Sequence, residues 1–391
     1  MGNIKDKVAI IGMGCTKFGE LWDKSCGDMI VEASYEAYED AGVDPKDIQA
    51  AWVGTFLSGG AGTCIANPLN LDFIPVTRVE NACASSADAL RNACFAIACG
   101  MYDLALVLGF EKTKDCGFTG LPEPSYLHPI FDAGFTAPGC FALAATRYFL
   151  KYGLSPEEGK ATLAKIAVKN HHNGSFSPKA HFQREVTLEQ VMNAPVIAWP
   201  LGLFDCCPTT DGAAAAILTR ADLAKNYRDD YVQVKGLGLS VGPALGNVRT
   251  DYDYTHWPET EFAAKQAYEQ VGINDPRREI SLANVHDCFT ITELVNYESL
   301  GFSPSGQAKD DVDAGTFALG GELPVNTDGG LKSFGHPIGA SGLRMMYEVY
   351  KQLQGKAGPR QLKDPKLGLA HTLGGTPGAF TCSVVILGQR D

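Results

Sequence analysis

The chain predicts a duplicated, layered α/β fold, and two internal correspondences carry that expectation. VAIIGMG at 8–14 and VQVKGLG at 232–238 both read as strands that open a half. EAYEDAGVDPKDIQAAWVG at 36–54 then resembles QAYEQVGINDPRREISLANVH at 266–286. Composition agrees: 43 glycines and long alanine runs suit tight turns and close helix-strand packing better than a helical bundle. At 391 residues and 45% hydrophobic content, the chain can bury a core large enough for two packed domains or one repeated unit.

In order along the chain, the strand at Val8 leads to a helix with Ala37 and Tyr38, which stops at Gly42, a place that suits positive φ. A proline-containing turn and a strand follow. Next, ENACASSADALRNACFAIACG (80–100) reads as a turn-to-helix junction. From about 115 to 200 the text turns rich in Pro, Phe, His and polar residues, with one periodic stretch from Pro156 to Asn170 and no counterpart in the second half. It reads as an inserted loop domain, of the kind that builds a substrate pocket on a strand-end face, or as a plain surface excursion. DGAAAAILTR (211–220) closes the first half, placed at 1–225.

The second half, placed at 226–391, repeats the plan: a helix with Ala267 and Tyr268 stopping at Gly272, a proline turn, the strand SLANV, a junction KSFGHPIGASGLRMMYEVYKQLQG (332–355), and a closing strand in GGTPGAFTCSVVIL (374–387). Each half therefore offers one junction where chemistry can be placed.

A net charge of −12, from 33 Lys+Arg against 45 Asp+Glu, argues against nucleic acid or an anionic membrane as partner, because phosphate contact needs clustered cations. The twelve cysteines include no CxxC pair, and Met1 to Lys7 is mostly polar, so a reduced, cytoplasmic, soluble protein is expected. His171, His172 and His181 lack metal-ligand spacing and read as solvated loop histidines, so no metal is expected. Neither GGAG (59–62) nor GLGLSVG (236–242) is a dinucleotide or phosphate loop. Cys206 and Cys207 read as packing residues.

Three positions invite chemistry. Cys83, before a small-residue helix of about four turns, would feel the positive helix end, which favours thiolate; a buried structural cysteine is the alternative. His336, in a glycine-rich loop of the other half, could serve Cys83 as general base or be a satisfied loop histidine. His286 and Cys288 are two apart, so in extended backbone they share a face and Asp287 points away. They mark either the mouth of a cavity or an ordinary strand end.

Together, ENACASS around Cys83, VHDCFT around His286 and SFGHPIGASG around His336 resemble the thiolase superfamily over essentially the whole chain, and the HDCF motif is similar to sterol-carrier-protein-type and archaeal thiolases. The resemblance implies a duplicated α-β-α-β-α sandwich and reversible ping-pong acyl transfer between CoA thioesters, through an acyl-Cys83 activated by His336. The family's usual C-terminal catalytic cysteine falls at Thr372, whose hydroxyl is too weak an acid to replace it. In HDCF-type relatives the second thiol is that of the motif, which here is Cys288. An enolate oxyanion would be held by His336 and a water on His286, and a second oxyanion by the backbone N–H groups of Cys83 and Gly374.

No permanently bound cofactor is implied, only coenzyme A as co-substrate. A homodimer or larger assembly is implied, as is a small OB-fold/zinc-ribbon partner protein. The specific substrate suggested is benzoylsuccinyl-CoA, with Phe118, Tyr126, Phe131, Phe135, Phe141 and Phe149 as candidate pocket or core residues. The alternatives are an acetoacetyl-CoA thiolase and a non-catalytic thiolase-like protein that binds acyl-CoA or lipid. A decarboxylating Cys-His-His synthase is disfavoured, since it has no need of Cys288.

Overall fold

The computed structural model describes residues 3–115, 117, 120–121, 136–246 and 249–390. Its eleven strands are β1 (Val8–Cys15), β2 (Ala50–Gly54), β3 (Val76–Val79), β4 (Leu104–Glu111), β5 (Val196–Ala198), β6 (Leu201–Gly202), β7 (Gly212–Arg220), β8 (Val232–Val241), β9 (Leu282–Asn284), β10 (Leu367–Thr376) and β11 (Ala379–Gly388). Nine of them form one sheet in the order β3-β2-β4-β7-β1-β8-β11-β10-β9. The two halves meet where β1 pairs antiparallel with β8, at Ala9 opposite Gln233.

The sheet reads the same outward from that seam. In the first half β1 pairs antiparallel with β7, β7 antiparallel with β4, and β4 parallel with β2. In the second, β8 pairs antiparallel with β11, β11 antiparallel with β10, and β10 parallel with β9. The counterpart of β3 has shrunk to a single parallel bridge between Ala283 and Val325.

Glycines explain how the outer helices sit. A Cβ on Gly12 would come 2.3 Å from the Ala37 carbonyl oxygen, and one on Gly14 would come 2.1 Å from that of Ala33. In the second half the same clashes would arise between Gly236 and Ala267 O (2.6 Å) and between Gly238 and Ala263 O (1.9 Å). The helix Cys26–Ala41 thus lies on β1 as the helix Pro258–Val271 lies on β8, backbone against backbone. Both stop where expected, with Gly42 at φ 68° and Gly272 at φ 91°. Ser25 adds a reciprocal capping box with Asp28.

The helices Ser85–Ala98 and Ser341–Leu353 each touch strands of both halves and each other, so they form the buried layer between them. The result is a duplicated mixed α/β fold around a large central sheet, as the sequence predicts. Between the halves the described part of the insert is more regular than its composition suggests, with helices Ala137–Lys151 and Pro156–Ser175 and a hairpin of β5 with β6. Of the six aromatic candidates there, Phe118, Tyr126, Phe131 and Phe135 lie outside the described residues. Among the described residues, no helix is long and apolar enough to cross a membrane, and no disulfide joins the eleven cysteines.

Candidate active site

Cys83 sits in the bend that joins β3 to the helix Ser85–Ala98. The bend places Ala82 at φ 47°, a left-handed conformation that costs an alanine about 1–3 kcal/mol. Local bonds hold it: the Ser85 hydroxyl donates to Ala82 O (2.6 Å) and accepts from the Asn81 N–H (2.9 Å). The Asn81 amide in turn donates to the Asp88 carboxylate (2.7 Å). The outcome is a thiol only 9% exposed, whose Sγ lies 3.2 Å from Nε2 of His336.

His336 comes from the loop before the helix Ser341–Leu353, and its neighbours decide its tautomer. Ser341 Oγ donates its single proton to the Pro337 carbonyl (2.9 Å), which can only accept. The 2.7 Å contact between Ser341 Oγ and His336 Nδ1 must therefore be Nδ1–H donating to Oγ. Nε2 is left with its lone pair facing Cys83, the arrangement a general base needs. Burial, with Arg344 nearby, pushes the imidazole pKa down to about 3, which keeps the ring neutral.

His286 and Cys288 follow β9 in irregular backbone that runs into the helix Thr290–Ser299. The His286 ring meets that of His336 edge-on, with centroids 5.2 Å apart. Both of its nitrogens are buried, and neither has a hydrogen-bond partner among the described residues. Burial, with His336 next in weight, holds its pKa well below the usual range. Cys288 is 2% exposed, with its Sγ 3.7 Å from the Thr292 hydroxyl. Burial, reinforced by Cys83, drives its pKa well above that of an ordinary thiol, so it carries its proton.

Cys83, His286 and Cys288 line one narrow cavity of about 40 Å³, closed by Phe56, Leu121, Phe141 and Ile338. The ligand atoms of Cys83, His286 and His336 lie within 4.8 Å of one another. A tetrahedral zinc would hold its sulfur and nitrogen ligands about 3.5 Å apart, whereas the 3.2 Å between Cys83 and His336 fits a direct hydrogen bond.

Several supports escape a reading of the sequence. Asp287 turns away from the cavity, as its spacing predicts. Its carboxylate accepts from the Leu331 and Lys332 N–H groups (2.6 and 3.2 Å) and from the Asn170 amide (2.8 Å), tying this segment to the His336 loop. Glu111, fully buried at the end of β4, accepts from the N–H groups of Phe56, Leu57, Ser58 and Gly339 at 2.8–3.0 Å. One acid thereby fixes loops of both halves, and its only trace in the sequence is a charge closing the apolar run LALVLGFE.

Cys206 and Cys207 do more than pack: the Cys207 N–H donates to the Cys288 carbonyl (2.8 Å), and Cys206 bridges Phe289. The expectation for His171 is corrected. It is not a solvated loop residue but lies on the helix Pro156–Ser175, 3% exposed, between the rings of Phe182 and Phe204. Burial lowers its pKa to about 4. Thr372 is buried on β10, and its hydroxyl has no partner among the described residues. A Cβ on Gly374 would fall 2.9 Å from the Cys83 nitrogen, so only glycine lets β10 come this close. Phe141 lines the cavity and stacks on Phe289 at 4.6 Å. Phe149 instead packs over Gly159.

Comparison with known proteins gives the family. Residues 8–222 match the family described as thiolase, N-terminal domain, and residues 246–389 match the thiolase C-terminal domain-like family. An acetyl-CoA acetyltransferase of Methanothermobacter thermautotrophicus is 40% identical, over 95% of this chain and 97% of its own. Sterol carrier protein 2 of Gallus gallus is 33% identical, over 94% of this chain and 70% of its own. A solved Ltp2-ChsH2(DUF35) aldolase superposes with a TM-score of 0.86 at 26% identity, covering 99% of each chain. The chain belongs to the thiolase family, on its sterol-carrier-protein-2 side, and is an acyltransferase of thiolase type.

Proposed function

We propose that the chain cleaves a 3-oxoacyl-CoA by ping-pong acyl transfer, with coenzyme A as co-substrate and no permanently bound cofactor. The observation that carries this reading is the pair formed by Cys83 Sγ and the lone pair of His336 Nε2, 3.2 Å apart, with the protonated Cys288 in the same cavity. His336 takes the Cys83 proton, and the thiolate attacks the 3-keto carbon. The bond between C2 and C3 then breaks, leaving the acyl group on Cys83 and an enolate of the CoA thioester. Cys288 gives its proton to C2. The Cys288 thiolate takes the thiol proton of coenzyme A, whose sulfur attacks the thioester; the Cys83 thiolate leaves and regains its proton from His336, freeing the shortened acyl-CoA.

Charge builds on two oxygens in this sequence. The enolate oxygen is held by His336 together with a water on His286, a role supported by the unpartnered nitrogens of the His286 ring. The tetrahedral oxyanion on Cys83 is held by the backbone N–H groups of Cys83 and Gly374, whose close approach supports the pairing. One such donor is worth about 3 kcal/mol. Run backwards, Cys288 removes a proton and the enolate attacks acyl-Cys83, a Claisen condensation.

For the acyl group we infer a bulky, aryl-bearing substrate, specifically benzoylsuccinyl-CoA, on the support of the aromatic lining at Phe56 and Phe141. Acetoacetyl-CoA is the second reading, favoured by the acetyl-CoA acetyltransferase relative at 40% identity. Thiolysis rates on the two thioesters separate these readings: a preference for acetoacetyl-CoA sinks the first. Loss of activity in Cys83→Ala on both substrates is expected, and unchanged activity would remove the mechanism. A cytoplasmic homodimer and a small OB-fold/zinc-ribbon partner complete the reading, the partner supported by the DUF35 protein named with the 26% identical aldolase. Copurification of a small zinc protein with the full chain tests it; an isolated chain with full activity counts against it.

A further inference from the structure

Among the described residues no polar group holds the His286 ring, but its main chain is gripped from behind. The His286 N–H donates to Nδ1 of His371 on β10 (3.3 Å). Nδ1 can accept only without a proton, so the ring carries its hydrogen on Nε2, which donates to the Thr260 hydroxyl (3.1 Å). Thr260 passes its own proton to Asn296 Oδ1 (3.2 Å), and the Asn296 amide donates to the His286 carbonyl (3.3 Å). All four residues are fully buried. Burial lowers the His371 pKa to about 3, which keeps the ring in its accepting form.

We propose that His371, Thr260 and Asn296 are positioning residues, a closed hydrogen-bonded circuit that holds both the N–H and the C=O of His286 and so aims its ring at the enolate oxygen. This rests on the reading of His286 given above. The circuit joins β10, the helix Pro258–Val271 and the helix Thr290–Ser299, so every direction of its pull is fixed by a rigid element. It also gives HTLGG a role once its threonine has lost the catalytic one: the histidine one place earlier supports the site from behind.

The test compares Thr260→Val, which keeps shape and breaks the circuit, with Thr260→Ser, which keeps the hydroxyl. Two steps are read: acylation of Cys83 by an acyl-CoA, followed by mass spectrometry, and deuterium exchange at C2 of that acyl-CoA. The expected result for Thr260→Val is a fall in exchange and in thiolysis kcat of about tenfold, with KM and acylation nearly unchanged, and recovery in Thr260→Ser. His371→Phe should repeat the Val pattern. Because the Cys382 thiol also meets Thr260, Cys382→Ala serves as control and should leave exchange intact. Equal exchange in wild type and both circuit-breaking variants overturns the inference, as does a parallel loss of acylation and exchange, which marks a merely structural role. A wild-type chain that never acylates Cys83 would instead overturn the proposed function.

Discussion

Ser341→Ala perturbs His336, the proposed general base, without touching a reacting atom. The substitution deletes the acceptor 2.7 Å from His336 Nδ1 in a place where Ser341 is fully buried and His336 is 1% exposed. A buried donor left without a partner costs about 1–3 kcal/mol. A neutral imidazole avoids that cost by moving its proton to Nε2, which turns the lone pair away from Cys83. The competent tautomer then becomes a minority by the same free energy, so the rate of Cys83 acylation falls about 5- to 150-fold. Rapid-quench mixing with an acyl-CoA and mass spectrometry of the intact protein measures that rate directly. Acylation within twofold of wild type, in a variant with an unchanged unfolding temperature, would refute the tautomer argument.

Cys288→Ala should still acylate Cys83 but lose proton exchange at C2, while Cys382→Ala, outside the cavity, should retain both; mass spectrometry and exchange measured by NMR read the two steps. Glu111→Gln should destabilise the chain by about 3 kcal/mol, seen in chemical unfolding, because its new NH₂ must oppose donors at Phe56 and Gly339, or at Leu57 and Ser58. Asp287 has its pKa raised to about 7, first by burial and then by Glu293. The native state therefore holds a proton the unfolded chain gives up near pH 4. Stability contributed by this group falls as pH rises from about 4 to 7, and unfolding of Asp287→Asn should show a shallower dependence across that window.

The parts of the fold and site that were legible in the sequence are those written locally. Gly12 and Gly14 match Gly236 and Gly238 because helix-on-strand contact leaves no room for a side chain, so the repeat survives as spacing. Cys83 and His336 announced themselves through small-residue junctions, and the missing cysteine at Thr372 directed attention to Cys288. What stayed hidden is written across distance. Glu111 acts on Gly339, 228 residues away, and His371 acts on His286, 85 residues away; a lone buried acid or histidine gives no local pattern. The insert misled for a related reason. Pro, Phe and His read as loop, yet Ala137–Lys151 is a helix capped by Thr136, and His171 gains its burial from aromatic rings that approach from outside its helix.

A single-turnover adduct tests most directly whether Cys83 becomes the acyl carrier. After the wild-type chain is mixed with a 3-oxoacyl-CoA in the absence of free coenzyme A, peptide mapping should place an acyl mass on Cys83 alone, and adding coenzyme A should remove it. An adduct on Cys288 or Cys382 instead, or no adduct with either the aryl-bearing thioester or acetoacetyl-CoA, would contradict the account.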